Sequence, residues 1–105
     1  MNAAELCVDA ERSAVEAIVS SAPTVLWSET DKGVTRVDLG SNATANVVDD
    51  EQDGYRVSIF VFDPADTGAA GRLYQWLVAS TPWSVALRDE GTAEVVESRA
   101  AWSAA

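Results

Sequence analysis

The chain has 105 residues and a formal net charge of −10, with seventeen acidic residues against seven basic ones. Hydrophobic residues make up 48% and charged residues 23%, which predicts one globular domain spanning residues 1–105. The excess of acids disfavours direct binding to nucleic acid or to an anionic membrane, since both need clustered Lys and Arg. The chain has no histidine and one cysteine, which excludes His-based triads, most catalytic zinc sites and intrachain disulfides.

The first predicted element is a helix over residues 3–21. Asn2 and Glu5 have the spacing of a capping box, and apolar residues recur at helical spacing from Leu6 onward. On such a helix Cys7 lies on the apolar side, which is typical of a small core residue rather than of a nucleophile. The segment has neither the basic start nor the apolar stretch of a signal peptide, so we expect a cytoplasmic protein.

Four strands are predicted next, at residues 24–29, 35–39, 43–48 and 55–62. The turns between them are predicted at residues 31–33 and 40–42 and over the run DDEQDG at 49–54. The fourth strand, YRVSIFVF, places Phe60 and Phe62 on one face and Val61 on the other. Because its last four residues are all apolar, we expect this end to be central in the sheet and covered on both faces, or covered by a partner.

A second helix is predicted to follow Asp66 and to end near Ser80, because Pro82 disfavours helical geometry at the residue before it. Its apolar stripe includes Leu73, Trp76 and Leu77, which favours core packing. Tyr74 lies off that stripe, so we expect it to be free for a contact. Strands at 83–88 and 92–97 complete the domain, and 98–105 form a short tail in which Trp102 is the residue best able to hold it against the domain.

These elements predict an α+β fold with the order α-β-β-β-β-α-β-β. Hairpin-linked strands favour a mainly antiparallel sheet, here of five to six strands, with the helices packed on one face. Apart from one extra strand, the order is similar to the topology of small acidic secretion chaperones. The resemblance is one of topology alone, and it implies a protein-binding role with a homodimer as an open alternative.

One stretch partly matches a calcium-binding loop. Asp49, Glu51, Asp53 and Gly54 fit the first half of the motif, but the position of the final bidentate Glu falls on Phe60, within an apolar strand. The stretch therefore predicts a solvated turn. We predict no metal site, no cofactor and no catalytic residue.

The sequence favours a small acidic, non-enzymatic protein-binding module of the chaperone, immunity or inhibitor kind. We expect its partner to be a protein, and a basic one if electrostatic attraction guides their association. Two alternatives stay open: an acidic nucleic-acid mimic that blocks a DNA-binding protein, and a small-molecule-binding domain with a cleft between helix and sheet. The candidate partner surface consists of Tyr74, Trp102, Phe60, Phe62, Asp49, Asp50, Glu51 and Asp53.

Overall fold

The computed structural model describes residues 2–92 and 94–101, which form a seven-stranded sheet and two helices. The strands are β1 (Ala3–Val8), β2 (Trp27–Asp31), β3 (Val34–Gly40), β4 (Ala43–Gln52), β5 (Tyr55–Phe62), β6 (Val85–Asp89) and β7 (Val95–Arg99). The helices are α1 (Arg12–Ser20) and α2 (Ala69–Ser80). Neighbouring strands are antiparallel, and they lie across the sheet in the order β2-β3-β4-β5-β1-β6-β7.

The α+β class and the mainly antiparallel sheet are confirmed, whereas the predicted strand number and order are wrong. The described residues form seven strands rather than five to six, in the order β-α-β-β-β-β-α-β-β. The first six residues of the predicted helix 3–21 are strand β1, and the helix begins only at Arg12. The similarity to the topology of the secretion chaperones depended on a helix as the first element. Because β1 precedes the first helix, that similarity no longer holds.

Strand β1 was mistaken for helix because it lies between β5 and β6 near the middle of the sheet. Every residue from Ala4 to Val8 is buried, so the strand lacks the apolar–polar alternation that marks a strand in a sequence. Its Ala, Glu and Leu residues also favour helix locally. Pairing with a neighbour on each side satisfies the backbone and overrides that preference.

Strands β2 to β5 form a meander joined by two-residue turns. Lys32-Gly33, Ser41-Asn42 and Asp53-Gly54 all have positive φ, from 51° to 86°. Positive φ at both central residues defines the type I′ turn, whose twist matches that of the flanking strands. The turns predicted at 31–33 and 40–42 are therefore confirmed. The turn predicted over 49–54 is narrower, because β4 continues to Gln52.

The strand register separates the two faces of the sheet. Directly opposed residues share a face, so Val37, Val47, Ile59, Leu6 and Leu87 lie together on one side, all buried. Both helices pack on this side, and the core lies beneath them. Among the described residues no helix covers the opposite side, which we call the open face. No helix in this part of the chain is long and apolar enough to cross a membrane.

Helix α2 buries more residues than the apolar stripe that was predicted from the sequence. Leu73, Tyr74 and Leu77 are buried, and Tyr74 is only 5% exposed, so the expectation that it is free for a contact is wrong. Burial raises the pKa of its hydroxyl, and the nearby Glu97 carboxylate raises it further. Trp76 is half-buried instead and donates its indole N–H to the Ile18 carbonyl at 2.9 Å, which ties the two helices together.

Candidate functional site on the open face

The strand register arranges the side chains of the open face in rows that run across the sheet from strand to strand. The first row crosses the sheet from β2 to β1 and consists of Trp27, Asp38, Thr44, Phe62 and Ala3. The second row crosses to β7 and consists of Glu29, Arg36, Asn46, Phe60, Glu5, Arg88 and Val95. The third contains Val48, Ser58, Cys7, Ala86 and Ser98.

Two large aromatic side chains of the first row are open to solvent. Phe62 is 57% exposed and Trp27 is 45% exposed. Neighbouring strands lie roughly 4.8 Å apart, so these residues, on strands three positions apart, are separated by roughly 14 Å along the sheet. Phe60 lies one row away and is half-buried. Exposed aromatic side chains on a rigid backbone are typical of surfaces that contact a partner.

Carboxylates surround Trp27 on the same face. Glu29 and Asp31 follow it at alternate positions of β2, and Asp38 is directly opposite it on β3. Two basic residues, Arg36 opposite Glu29 and Lys32 in the β2–β3 turn, lie near these carboxylates. Trp27 therefore has three carboxylates beside it on the open face.

Farther along the open face, the end of the β4–β5 hairpin bends over the sheet and buries polar groups. In the strand register Ser58 is opposite Val48. Gln52 follows Val48 by four residues, so on a straight strand it would lie roughly 13 Å farther along β4. Nevertheless the Gln52 amide lies 3.2 Å from the Ser58 hydroxyl and donates to the Glu5 carboxylate at 2.5 Å. The ladder irregularity between Asp49 and Gln52 provides this bend.

Glu5 is the centre of the buried polar cluster. The residue is 9% exposed, and its carboxylate accepts hydrogen bonds from the Ser58 hydroxyl at 2.7 Å and from the Gln52 amide. The Arg88 guanidinium lies 3.9 Å from Glu5 and 3.9 Å from Asp53 at the hairpin tip. These contacts hold the hairpin end against the sheet, because a buried carboxylate needs partners for its charge.

Cys7 lies beside this cluster, next to a cavity of about 220 Å³ that Tyr55, Asp53 and Arg88 also line. The thiol is buried on the open side of β1, so its role as a small buried residue fits the prediction although the helix does not. Burial raises the pKa of Cys7, and the Glu5 carboxylate adds to the increase. At neutral pH the thiol is therefore protonated and a poor nucleophile.

The structure divides the predicted acidic run between two sides of the sheet. Asp49 is on the helix side and pairs with Arg12 at 2.6 Å, whereas Asp50 lies on the open side within 3.2 Å of Ser58. Glu51 and Asp53 are exposed near the hairpin tip. The run is therefore not one patch.

The two phenylalanines of the predicted surface both lie on the open face, opposite the side that the two helices cover. Trp102 lies outside the described residues. Trp27 was not among the predicted surface residues. Its signal in the sequence was the alternation WSETD, which places Trp27, Glu29 and Asp31 on one polar side of a strand.

The described acids do not align along one face. Glu29, Asp31 and Asp38 belong to the open face, whereas Glu16 is on α1 and Glu97 is on the helix side of β7. This distribution does not favour the nucleic-acid mimic, which needs carboxylates in one array. Within residues 2–92 and 94–101, no group of three His, Cys, Asp or Glu side chains has the geometry of a metal site.

The fold and the site together define a small α+β protein whose described residues form one antiparallel sheet with both helices on the same face. No family model, no curated protein and no solved structure matches the chain.

Proposed function

We propose that this protein is a non-enzymatic module that binds a protein partner through the open face of its sheet. The observation that carries the proposal is the pair of exposed aromatic side chains, Trp27 and Phe62, in one cross-strand row. Aromatic residues are enriched in the centres of protein interfaces because they bury much apolar area at little entropic cost.

The acidic border of Trp27 indicates the chemistry of the partner. An apolar centre bordered by Glu29, Asp31 and Asp38 is complementary to a partner surface that has an apolar centre and basic residues around it. The net charge of −10 also speeds the encounter with a basic surface and repels a second copy of this chain.

The burial of the two nucleophilic side chains on the open face, Ser58 and Cys7, supports a binding role rather than catalysis. Ser58 is fully buried beneath the hairpin end, and Cys7 has a raised pKa. The Gln52 end of the hairpin covers Ser58, and Cys7 is only 1% exposed although it lines the small cavity. The Glu5 carboxylate accepts hydrogen bonds from Ser58 and Gln52, so it already serves to hold the hairpin end against the sheet.

The test is partner capture with surface variants. A tagged copy purified from the native source is compared with the double variant W27S/F62S and with the control V96S, which changes a residue 51% exposed on the edge strand β7. Thermal unfolding of all three proteins is recorded as well, so that a loss of capture is distinguished from a loss of the fold. We expect one stoichiometric protein partner with wild type and V96S, and its loss with W27S/F62S.

The molar mass of the eluted complex distinguishes the remaining outcomes. A heterocomplex that dissociates at raised ionic strength supports a basic partner. A homodimer broken by W27S/F62S would show that the occupant is a second copy and would overturn the proposed partner chemistry. Capture that is unchanged in W27S/F62S, or a bare monomer in every preparation, would overturn the proposal.

A further inference from the structure

A groove lies on the other side of the molecule, between α2 and the segment that joins α1 to β2. Its cavity is about 330 Å³, within the size range of small-molecule sites. The groove belongs to the helix-covered side, so it is independent of the open face. Its apolar lining includes Ala22, Pro23, Leu39, Leu73, Trp76 and Ala79.

Trp76 gives the groove an apolar wall. Its indole N–H is already donated to the Ile18 carbonyl, so the ring offers the groove carbon surface and no free donor. Leu73 and Leu39 are buried core residues that reach the same cavity. A ligand in this groove therefore gains mainly from burying its own apolar surface.

Arg72 supplies the one cationic group among the described lining residues. Its guanidinium donates to the Thr67 carbonyl and lies 3.5 Å from the Thr67 hydroxyl, which holds the side chain near the start of α2. Both direct partners are neutral and orient the guanidinium, while the Thr67 hydroxyl donates in turn to the Asp63 carboxylate at 2.9 Å. A planar guanidinium has five N–H donors, which leaves donors for an anionic group.

We propose that this groove binds a small apolar carboxylate, a compound with the size of a medium-chain fatty acid. The alkyl chain lies against Leu39, Leu73 and Trp76, and the carboxylate accepts hydrogen bonds from Arg72. The charge of Arg72 selects an anion in a chain whose net charge would otherwise repel one. The proposal does not depend on the function of the open face.

The experiment is a titration of the intact protein with octanoate, followed by calorimetry and by the ¹H–¹⁵N signal of the Trp76 indole, assigned with W76F. Hexanoate and 1-octanol are the matched ligands. The variant R72Q removes the cation, R56Q removes an exposed cation of the open face as the control, and A79F fills the groove from an exposed helix position.

We expect octanoate to shift the Trp76 indole signal and to bind roughly fourfold more tightly for each added methylene. R72Q should weaken the binding of octanoate at least about fivefold, because a charge-assisted hydrogen bond is lost. It should leave the affinity for 1-octanol unchanged. R56Q should match wild type, and A79F should weaken both ligands. Absence of binding, shifts confined to other residues, or equal affinities of wild type and R72Q for octanoate would overturn the proposal.

Discussion

The Ser58 hydroxyl donates to the Glu5 carboxylate at 2.7 Å, across neighbouring strands that lie 53 residues apart in the chain. Both side chains are on the open face, and both are buried although no helix covers them there. Their burial follows from the bend of the β4–β5 hairpin, which places the Gln52 amide on the same carboxylate. A contact that secondary structure alone would leave exposed to water thus becomes part of the interior.

The first prediction concerns this cluster. Glu5→Ala removes the acceptor that Ser58 and Gln52 share and leaves them only the longer contacts, at 3.2 Å, with the Asp50 carboxylate and with each other. A hydrogen bond to a charged group contributes about 1.5–3 kcal/mol. We expect E5A to lower the free energy of unfolding by about 2–3 kcal/mol in urea titrations. A double-mutant cycle with S58A should give a coupling energy of about 1 kcal/mol. Additive effects of the two substitutions would contradict the assigned hydrogen bond.

The second prediction concerns Asp63, a carboxylate buried in the loop before α2. It accepts hydrogen bonds from the Ala69 N–H at 3.1 Å and from the Thr67 hydroxyl at 2.9 Å. Burial alone would raise the pKa of Asp63, but hydrogen bonds from the backbone N–H groups of Thr67 and Ala69 and from the Thr67 hydroxyl outweigh it and hold the pKa below its ordinary value of 3.8.

Because the folded-state pKa of Asp63 is lowered, its contribution to stability is complete above the unfolded pKa and is lost as the pH falls through the folded pKa. We expect the free energy of unfolding of wild type to fall as the pH is lowered from about 5. D63N should be less stable at neutral pH and should show a smaller fall over the same acid range. Parallel curves for the two proteins would contradict this assignment.

The third prediction contrasts two glycines. Gly33 has φ +81° in the β2–β3 turn, and an added Cβ would lie 3.1 Å from Nη1 of Arg12. Gly71 is inside α2 and would have nothing within 4 Å of its Cβ. We expect Gly33→Ala to lower the melting temperature, with a cost of about 1–2 kcal/mol. Gly71→Ala should raise it through a gain of about 0.5–1 kcal/mol. Equal effects of the two substitutions would contradict the turn geometry.

The fourth prediction concerns the Cys7 thiol. Because it is buried and its pKa is raised, it should react with a disulfide reagent only when the protein opens. We expect its native-state rate to be at least about a hundredfold below its rate in urea. The control is C7A/S13C, which places a thiol at an exposed position of α1. Native wild type that reacts as fast as this control would show that the β4–β5 hairpin end does not protect Cys7.

Some of the fold was predictable because it depends on neighbouring residues. The Lys32-Gly33 turn needs only residues that tolerate positive φ, and the alternation of YRVSIFVF marks a strand wherever it occurs. The same alternation placed Phe60 and Phe62 together on one face of β5, with Val61 on the other, which the register confirms. In the candidate site these two aromatics were therefore predictable, whereas Trp27 was overlooked despite its alternation with Glu29 and Asp31.

Other features depend on contacts that sequence neighbours do not encode. Cys7 and Glu5 belong to a strand only because β5 and β6 provide partners on both sides. Tyr74 is buried although the predicted stripe left it free. The Asp49–Asp53 run is divided because β4 continues through Asp49 and Asp50 to Gln52, so the first two carboxylates alternate between the faces of the sheet.

By itself, the sequence determined an acidic α+β domain with an antiparallel sheet, its hairpin turns and its strongest strand. These properties follow from charge, backbone freedom and a two-residue period, each of which acts over a few positions. Only the tertiary structure decided that residues 3–8 form a strand near the middle of the sheet, that one face stays open around Trp27 and Phe62, and that Arg72 borders an apolar groove. Those outcomes required pairing between distant segments, where burial and backbone hydrogen bonding outweigh local propensity.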